Sequence, residues 1–231
     1  MRQVVLDTET TGLEVGKGHR VIEIGAVELV ERRPTGRSLH RYVNPQRAID
    51  GGALAVHGIS DEFLADKPTF AAIAHELLEF VAGAELVIHN AAFDVAFLDA
   101  ELALCDGALG TIGERAAIVD TLALAREKYP GQKNSLDALC KRLGVDNSHR
   151  ELHGALLDAQ LLAEVYLAMT GGQGDLAFAS ETERTARAAV VPSARPPLRV
   201  RIADAIELAL HAARLDRLQA TSKGRCLWLQ S

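Results

Sequence analysis

Aromatic side chains are scarce, with three Tyr, six Phe and one Trp making up 4% of the 231 residues. Hydrophobic residues still account for 48% of the chain, so Ala, Leu and Val must fill the core. Cysteine is equally sparse. Cys105, Cys140 and Cys226 lie far apart, no pair has zinc-ligand spacing, and an odd count argues against a disulfide framework. A reducing, cytoplasmic compartment is the plain expectation. No apolar run approaches the ~18 residues of a membrane span, and the N-terminus runs directly into a strand-like segment, so neither a membrane anchor nor a signal peptide is expected.

The chain also lacks an excess of positive charge. Its net charge is −6, so it does not grip long nucleic acid by charge alone. Residues 171–231 hold nine Lys/Arg against six Asp/Glu, a balance of +3, which leaves −9 on residues 1–170. If the chemistry lies in that acidic part, its carboxylates need cations.

Gln3–Leu6 is a short apolar run ending in Asp7 and reads as a buried strand. Val21–Val30 and Ser38–Val43 read as further strands, with Arg32–Gly36 as the hairpin turn between them. Thr69–Val81 has helical spacing, and Glu85–His89 is another strand, followed by a helix over about 92–104. Ala116–Val119 reads as a fifth strand ending at Asp120, with helices at about 121–128 and 135–143, the latter capped by Ser135 and Gly144. A long helix is expected over His153–Met169. This order predicts an α/β domain, a mixed five-stranded sheet covered by helices. Beyond Thr170 the periodicity stops. Residues 171–200 are rich in Gly, Ser, Thr, Pro and Arg and read as a flexible linker, and one more helix is expected at about 202–218.

Several acids stand where such a fold collects ligands. Asp7 and Glu9, at i and i+2 on a strand, point to one face. Two carboxylates side by side repel each other, and a divalent cation that takes oxygen ligands relieves the repulsion. A solvated strand end explains a bare Asp-x-Glu pair equally well. Asp94 follows the fourth strand, in the first turn of a helix whose cap is Asn90. An acid stabilising a helix N-terminus has the same signature. His153 and Asp158 are five residues apart, roughly 140° around a helix, so both can border one cleft. Asp158 sits among Leu156, Leu157, Leu161 and Leu162, where an acid is costly unless paired or bound to metal.

Taken together, Asp7-Thr8-Glu9-Thr10-Thr11-Gly12, Asn90-x-x-x-Phe93-Asp94 and His153-x-x-x-x-Asp158 resemble the three ordered motifs of the DEDDh 3′→5′ exonucleases. Val56-His57-Gly58-Ile59, Lys67-Pro68-Thr69-Phe70, Asn134–Cys140 and Leu152–Thr170 narrow the resemblance to the proofreading (epsilon) subunits of bacterial DNA polymerase III, over nearly the whole chain. The resemblance implies a ribonuclease-H-like fold with helices on both faces of the sheet. It implies two divalent ions, Mg²⁺ or Mn²⁺, with Asp7, Glu9 and Asp158 on the first, and Asp7 with support from Asp94 on the second. His153 is implied as general base. Asp7, Glu9, His57 and Asp158 are implied to contact a single-stranded or frayed DNA 3′ end, which is released as nucleoside 5′-monophosphates. Gly52 stands where some relatives carry an acid that touches substrate.

The resemblance also divides the chain into an exonuclease domain over 1–170, the linker over 171–200 and a polymerase-binding helical tail over 201–231. Within the linker, Gln173, Leu176 and Phe178 resemble a peptide that binds the sliding clamp, with the two apolar residues as anchors. The tail is implied to order on the polymerase alpha subunit. Two other readings stay open. A free-standing nuclease acting on RNA ends or short oligonucleotides needs neither clamp peptide nor tail. A bridging subunit with a dead site needs no intact constellation of acids and histidine.

Overall fold

A computed structural model describes residues 1–105, 109–150, 152–171, 202–226 and 228. The chain divides into two units, Met1–Leu176 and Ala177–Ser231. In the first, a five-stranded sheet runs in the order β3-β2-β1-β4-β5. The strands are β1 (Arg2–Thr10), β2 (Val21–Val30), β3 (Arg33–Tyr42), β4 (Glu85–Ile88) and β5 (Ala117–Asp120). The pairs β1–β2 and β2–β3 are antiparallel, whereas β1–β4 and β4–β5 are parallel. This is the mixed α/β sheet expected from the sequence, with the ribonuclease-H-like order.

The central place of β1 explains why Val4-Val5-Leu6 shows no alternation. A strand covered on both faces has no side for polar residues. Val4 and Leu6 join a core with Phe70 and Leu77 of α3 (Phe70–Val81) and Phe97 and Leu98 of α4 (Ala91–Ala103). Val5 faces the other way, against Leu162 and Tyr166 of α8 (Ala155–Thr170). Helices therefore cover both faces. The buried Glu101 of α4 is matched by Arg20, whose Nε and Nη2 each donate to it at 2.7 Å, which ties α4 to the start of β2.

The hairpin between β2 and β3 is tighter than its sequence suggests. Glu31 and Arg32 both have positive φ (48° and 63°), so they alone make the turn, and β3 resumes at Arg33. Pro34 pairs opposite Leu29 on the edge strand, where a missing N–H costs least. Three short helices carry too little periodicity to be seen in sequence. They are α1 (Gly51–His57), α2 (Asp61–Leu64) and α5 (Ile112–Arg115). Two more, α6 (Thr121–Lys128) and α7 (Leu136–Leu143), follow β5 where expected, and α7 has its Ser135 cap and its left-handed Gly144.

In the second unit, α9 (Ala205–Thr221) starts three residues later than the apolar pattern implied. The reason is a capping box, in which Asp204 accepts from the Glu207 N–H and the Glu207 carboxylate accepts from the Asp204 N–H. No residue of α9 is buried. No helix among the described residues is long and apolar enough to cross a membrane.

Candidate active site

Parallel pairing puts the C-terminal ends of β1, β4 and β5 at one edge of the sheet, where open α/β sheets bind ligands. Asp7 and Glu9 end β1 there and lie on the strand face covered by α8. One glycine permits this. Gly25 of β2 pairs opposite Asp7, and a Cβ at Gly25 would stand 2.1 Å from the Leu156 nitrogen and 2.2 Å from the Ala155 carbonyl carbon. The first turn of α8 thus rests directly on the backbone of β2, which brings Asp158 down beside the β1 acids. Gly25→Val should push that turn outward. We expect at least a hundredfold loss of nuclease activity and a destabilisation of roughly 1–3 kcal/mol from overpacking, read by primer-end hydrolysis and by thermal melting. Retained activity would mean that the α8–β2 approach does not set the site.

Asp94 reaches the same edge from the other helical layer. It is buried in the first turn of α4, and Thr8 Oγ1 donates to its Oδ1 at 2.7 Å. Thr8 lies between Asp7 and Glu9, so its side chain points to the opposite face and ties Asp94 to the strand. Asn90 is at the cap position of α4 but makes no side-chain capping bond. Its φ of 65° and ψ of 52° place it in the left-handed region, which turns the chain sharply out of β4.

His153 departs from its expected place. It precedes α8 rather than opening it, because Gly154 is the extended N-cap (φ −153°) and helical geometry begins at Ala155. Helical spacing therefore does not relate His153 to Asp158. A loop does, pinned by the His153 N–H donating to the Val56 carbonyl at 3.1 Å. His153 Nδ1 lies 3.4 Å from Asp158 Oδ2. Between them stands Arg150, a residue the sequence did not single out. Its Nε and Nη2 donate to Asp158 Oδ1 and Oδ2 at 2.5 and 2.6 Å, and Nη2 also donates to His153 Nδ1 at 2.8 Å.

The carboxylates strain against each other. Burial first, then the charges of Asp94, Glu9 and Asp158, holds the Asp7 carboxyl well above its usual range, against the opposing pull of Arg150. Glu9 is pushed up to about 8 by burial, by Asp158 and by Glu23, its partner across the β1–β2 ladder. Asp94 is raised to about 7, again chiefly by burial, although the Thr8 hydrogen bond works the other way. Hard oxygen donors that resist ionising together are the donor set for a divalent cation. Glu9, His153 and Asp158 offer ligand atoms within 4.8 Å of one another. All of these acids line one open cavity of about 600 Å³, which is room for a nucleotide.

A second cavity of about 530 Å³ shares Thr8, Glu9 and Phe93 with the first. His57, at the end of α1, is buried against it. Its Nδ1 accepts from the Ile59 N–H at 3.0 Å, and among the described residues its Nε2 has no hydrogen-bond partner. Burial pushes this imidazole down from its usual value. The Thr10 carbonyl pulls the other way, and the neighbouring His153 lowers it further. Gly52 lines the same cavity. His89 caps a strand end, its Nδ1 2.9 Å from Thr121 Oγ1. Gln173, Leu176 and Phe178 lie outside the described residues.

Residues 4–166 match the family described as Exonuclease (RNase_T). The chain is 52% identical over 236 residues to the DNA polymerase III subunit epsilon of Escherichia coli (strain K12), covering 98% of this chain and 97% of that one. It is 54% identical over 173 residues to the subunit of the same name from Rickettsia felis, covering 75% of this chain and 76% of that one. Among solved structures, Exonuclease X in complex with 5′ overhanging duplex DNA aligns with a TM-score of 0.58 at 27% identity, over 74% of this chain and 93% of that one. Exonuclease I (apo) aligns with a TM-score of 0.61 at 18% identity, over 74% of this chain and 42% of that one, a likeness of fold alone.

Proposed function

The chain belongs to the exonuclease family, among the epsilon subunits of DNA polymerase III, and on that premise we propose that it removes mispaired 3′-terminal nucleotides from DNA as 5′-monophosphates. The carrying observation is the convergence of Asp7, Glu9, Asp94 and Asp158 beside His153 at one sheet edge. Asp7, Glu9 and Asp158 would hold a first divalent ion, Mg²⁺ or Mn²⁺. Asp7 would share a second that Asp94 supports. Such a pair of ions, when bound, polarises the scissile phosphate and activates a water for in-line attack.

The chain's own residues do the rest. His57 faces the terminal nucleotide with an imidazole whose neutral form burial favours and whose Nε2 can donate a hydrogen bond. His153 takes the proton of the attacking water. Because Arg150 donates to Nδ1, the neutral His153 ring carries its own proton on Nε2, so Nδ1 is the atom that accepts once Arg150 releases it. His153→Ala should lower turnover by roughly 10²–10⁴-fold while Mn²⁺ affinity, read by calorimetry, falls by about tenfold at most. An equal collapse of metal affinity would overturn the base assignment. The direct test of the function is Mg²⁺-dependent release of mononucleotides from a mispaired primer end, with no release from Asp7→Ala.

The second unit supports a tethered enzyme rather than a free one. Ile206, Leu208 and Leu210 of α9 are all more than half exposed, at 72%, 58% and 65%. A single helix with its apolar residues in water lacks the tertiary packing from which most helices draw their stability. It gains its stability by docking, for which the polymerase alpha subunit is the partner we propose, with residues 173–178 on the sliding clamp. A bacterial replisome in the cytoplasm is the setting this implies. A chain ending at Thr170 should keep its exonuclease activity within about twofold and lose alpha-subunit binding by at least a hundredfold in a pull-down or calorimetric titration. Binding that survived would remove the tail as the tether.

A further inference from the structure

Arg150 is not one of the acids or histidines that define the site, yet it makes the densest set of bonds there. Its side chain is only 7% exposed. It grips Asp158 through two nitrogens and His153 through one of them, and its Nη1 donates to Asp137 Oδ1 at 2.7 Å. Burial works against a guanidinium, but Asp158 and Asp137 more than offset it, so Arg150 stays charged. Asp137 belongs to α7, is exposed, and is itself held by the Asn147 amide at 3.1 Å.

This geometry has two chemical consequences. Both Asp158 oxygens already accept from one cation, so a metal ion binding there competes with the Arg150 charge and with its two-nitrogen grip. Nδ1 of His153 is engaged by the same guanidinium, so it cannot accept a proton until that nitrogen leaves. We propose that Arg150 is the resident counter-ion of the site, which competes with the divalent ion for Asp158 and so couples metal binding to release of His153. Asp137 is the anchor that keeps the displaced guanidinium at the rim of the cavity, because its bond to Nη1 does not depend on Asp158. The inference rests on the reading of Asp158 as a metal ligand.

Calorimetric titration of the full chain with Mn²⁺ tests both, without substrate. Asp158→Asn should weaken Mn²⁺ binding; unchanged affinity there would remove the ligand reading itself. With that in hand, Arg150→Gln should bind Mn²⁺ on the order of tenfold tighter than the unaltered chain, the effect of losing one charge-assisted competitor. Arg150→Lys, which keeps the charge but not the two-nitrogen grip, should fall between the two, and it carries the test if Arg150→Gln does not fold. Arg126 lines the same cavity without bonding these acids, so Arg126→Gln should leave the affinity nearly unchanged. Equal tightening in Arg126→Gln would reduce the effect to general charge and overturn the inference. So would unchanged or weaker binding in Arg150→Gln and Arg150→Lys, the outcome expected if Arg150 only braces its loop.

Discussion

Asp7→Ala is expected to leave no measurable turnover at any Mg²⁺ concentration, a loss on the order of 10⁴-fold or more. Asp7 is the acid closest to all the others in effect, since its ionisation is opposed by Asp94, Glu9 and Asp158 together. In our reading it alone is shared between two ions, so no excess of metal replaces it. Removing the Asp7 charge while keeping its shape should act in the opposite direction on stability. Asp7 is a carboxylate that the fold buries against three like charges, and removing it relieves the others. Without divalent ions, Asp7→Asn should melt at a higher temperature than the unaltered chain near pH 8, where the acids are forced to ionise. This is the stability a functional site gives up, returned when the function is removed. Rescue of Asp7→Ala by high Mg²⁺ would assign Asp7 a secondary role, and a melting temperature no higher in Asp7→Asn would mean that repulsion at the site is already relieved in the free protein.

Much of this is legible in the residue order. Continuous apolar runs mark β1 and β4, because both are inner strands with helices on each side. The acids are legible as positions, since strand ends and first helical turns are fixed by the same apolar runs that define the elements. What the sequence hides depends on approach in three dimensions. Thr8 reads as a spacer between two acids, and its bond to Asp94 exists only because α4 folds back over β1. Gly25 reads as one small residue in a strand, and its role appears only when the first turn of α8 rests on it. Arg150 lies in a loop whose path no periodicity predicts, and the pairing that matters spans α7, the loop and α8. His153 reads as helical because nothing between it and Asp158 except Gly154 signals a boundary. The clamp-like residues 173–178 and the linker remain expectations, outside the described residues.

The raised carboxyls make a second large effect calculable in sign. A group whose folded pKa lies above its unfolded value binds more protons in the folded state, so stability falls as pH rises through that interval. Glu9 sits at about 8 and Asp94 at about 7, against unfolded values of 4.5 and 3.8, and Asp7 is raised as well. Without divalent ions, therefore, the contribution of these acids to stability is greatest below about pH 4 and should be lost steadily up to about pH 8. The loss should reach several kcal/mol, because each tenfold tighter hold on one proton is worth about 1.4 kcal/mol. In our reading Mn²⁺ or Mg²⁺ would bind the ionised carboxylates and reverse the slope, because a ligand that prefers the folded state stabilises in proportion to its affinity. Ion-induced gains in melting temperature should accordingly be small near pH 5 and largest near pH 8. Thermal melts at each pH, with chelator and with saturating ion, read both slopes. A chelated protein whose stability is flat across that range would mean that Arg150 alone already balances the charge of the acids. The fold can hold three such acids because the layers beneath them are apolar. Each fully buried Leu or Val contributes roughly 1.5–3 kcal/mol, and the cores on the two faces of the sheet, around Leu6 and Phe97 and around Val5 and Leu162, offset the repulsion that the chemistry requires.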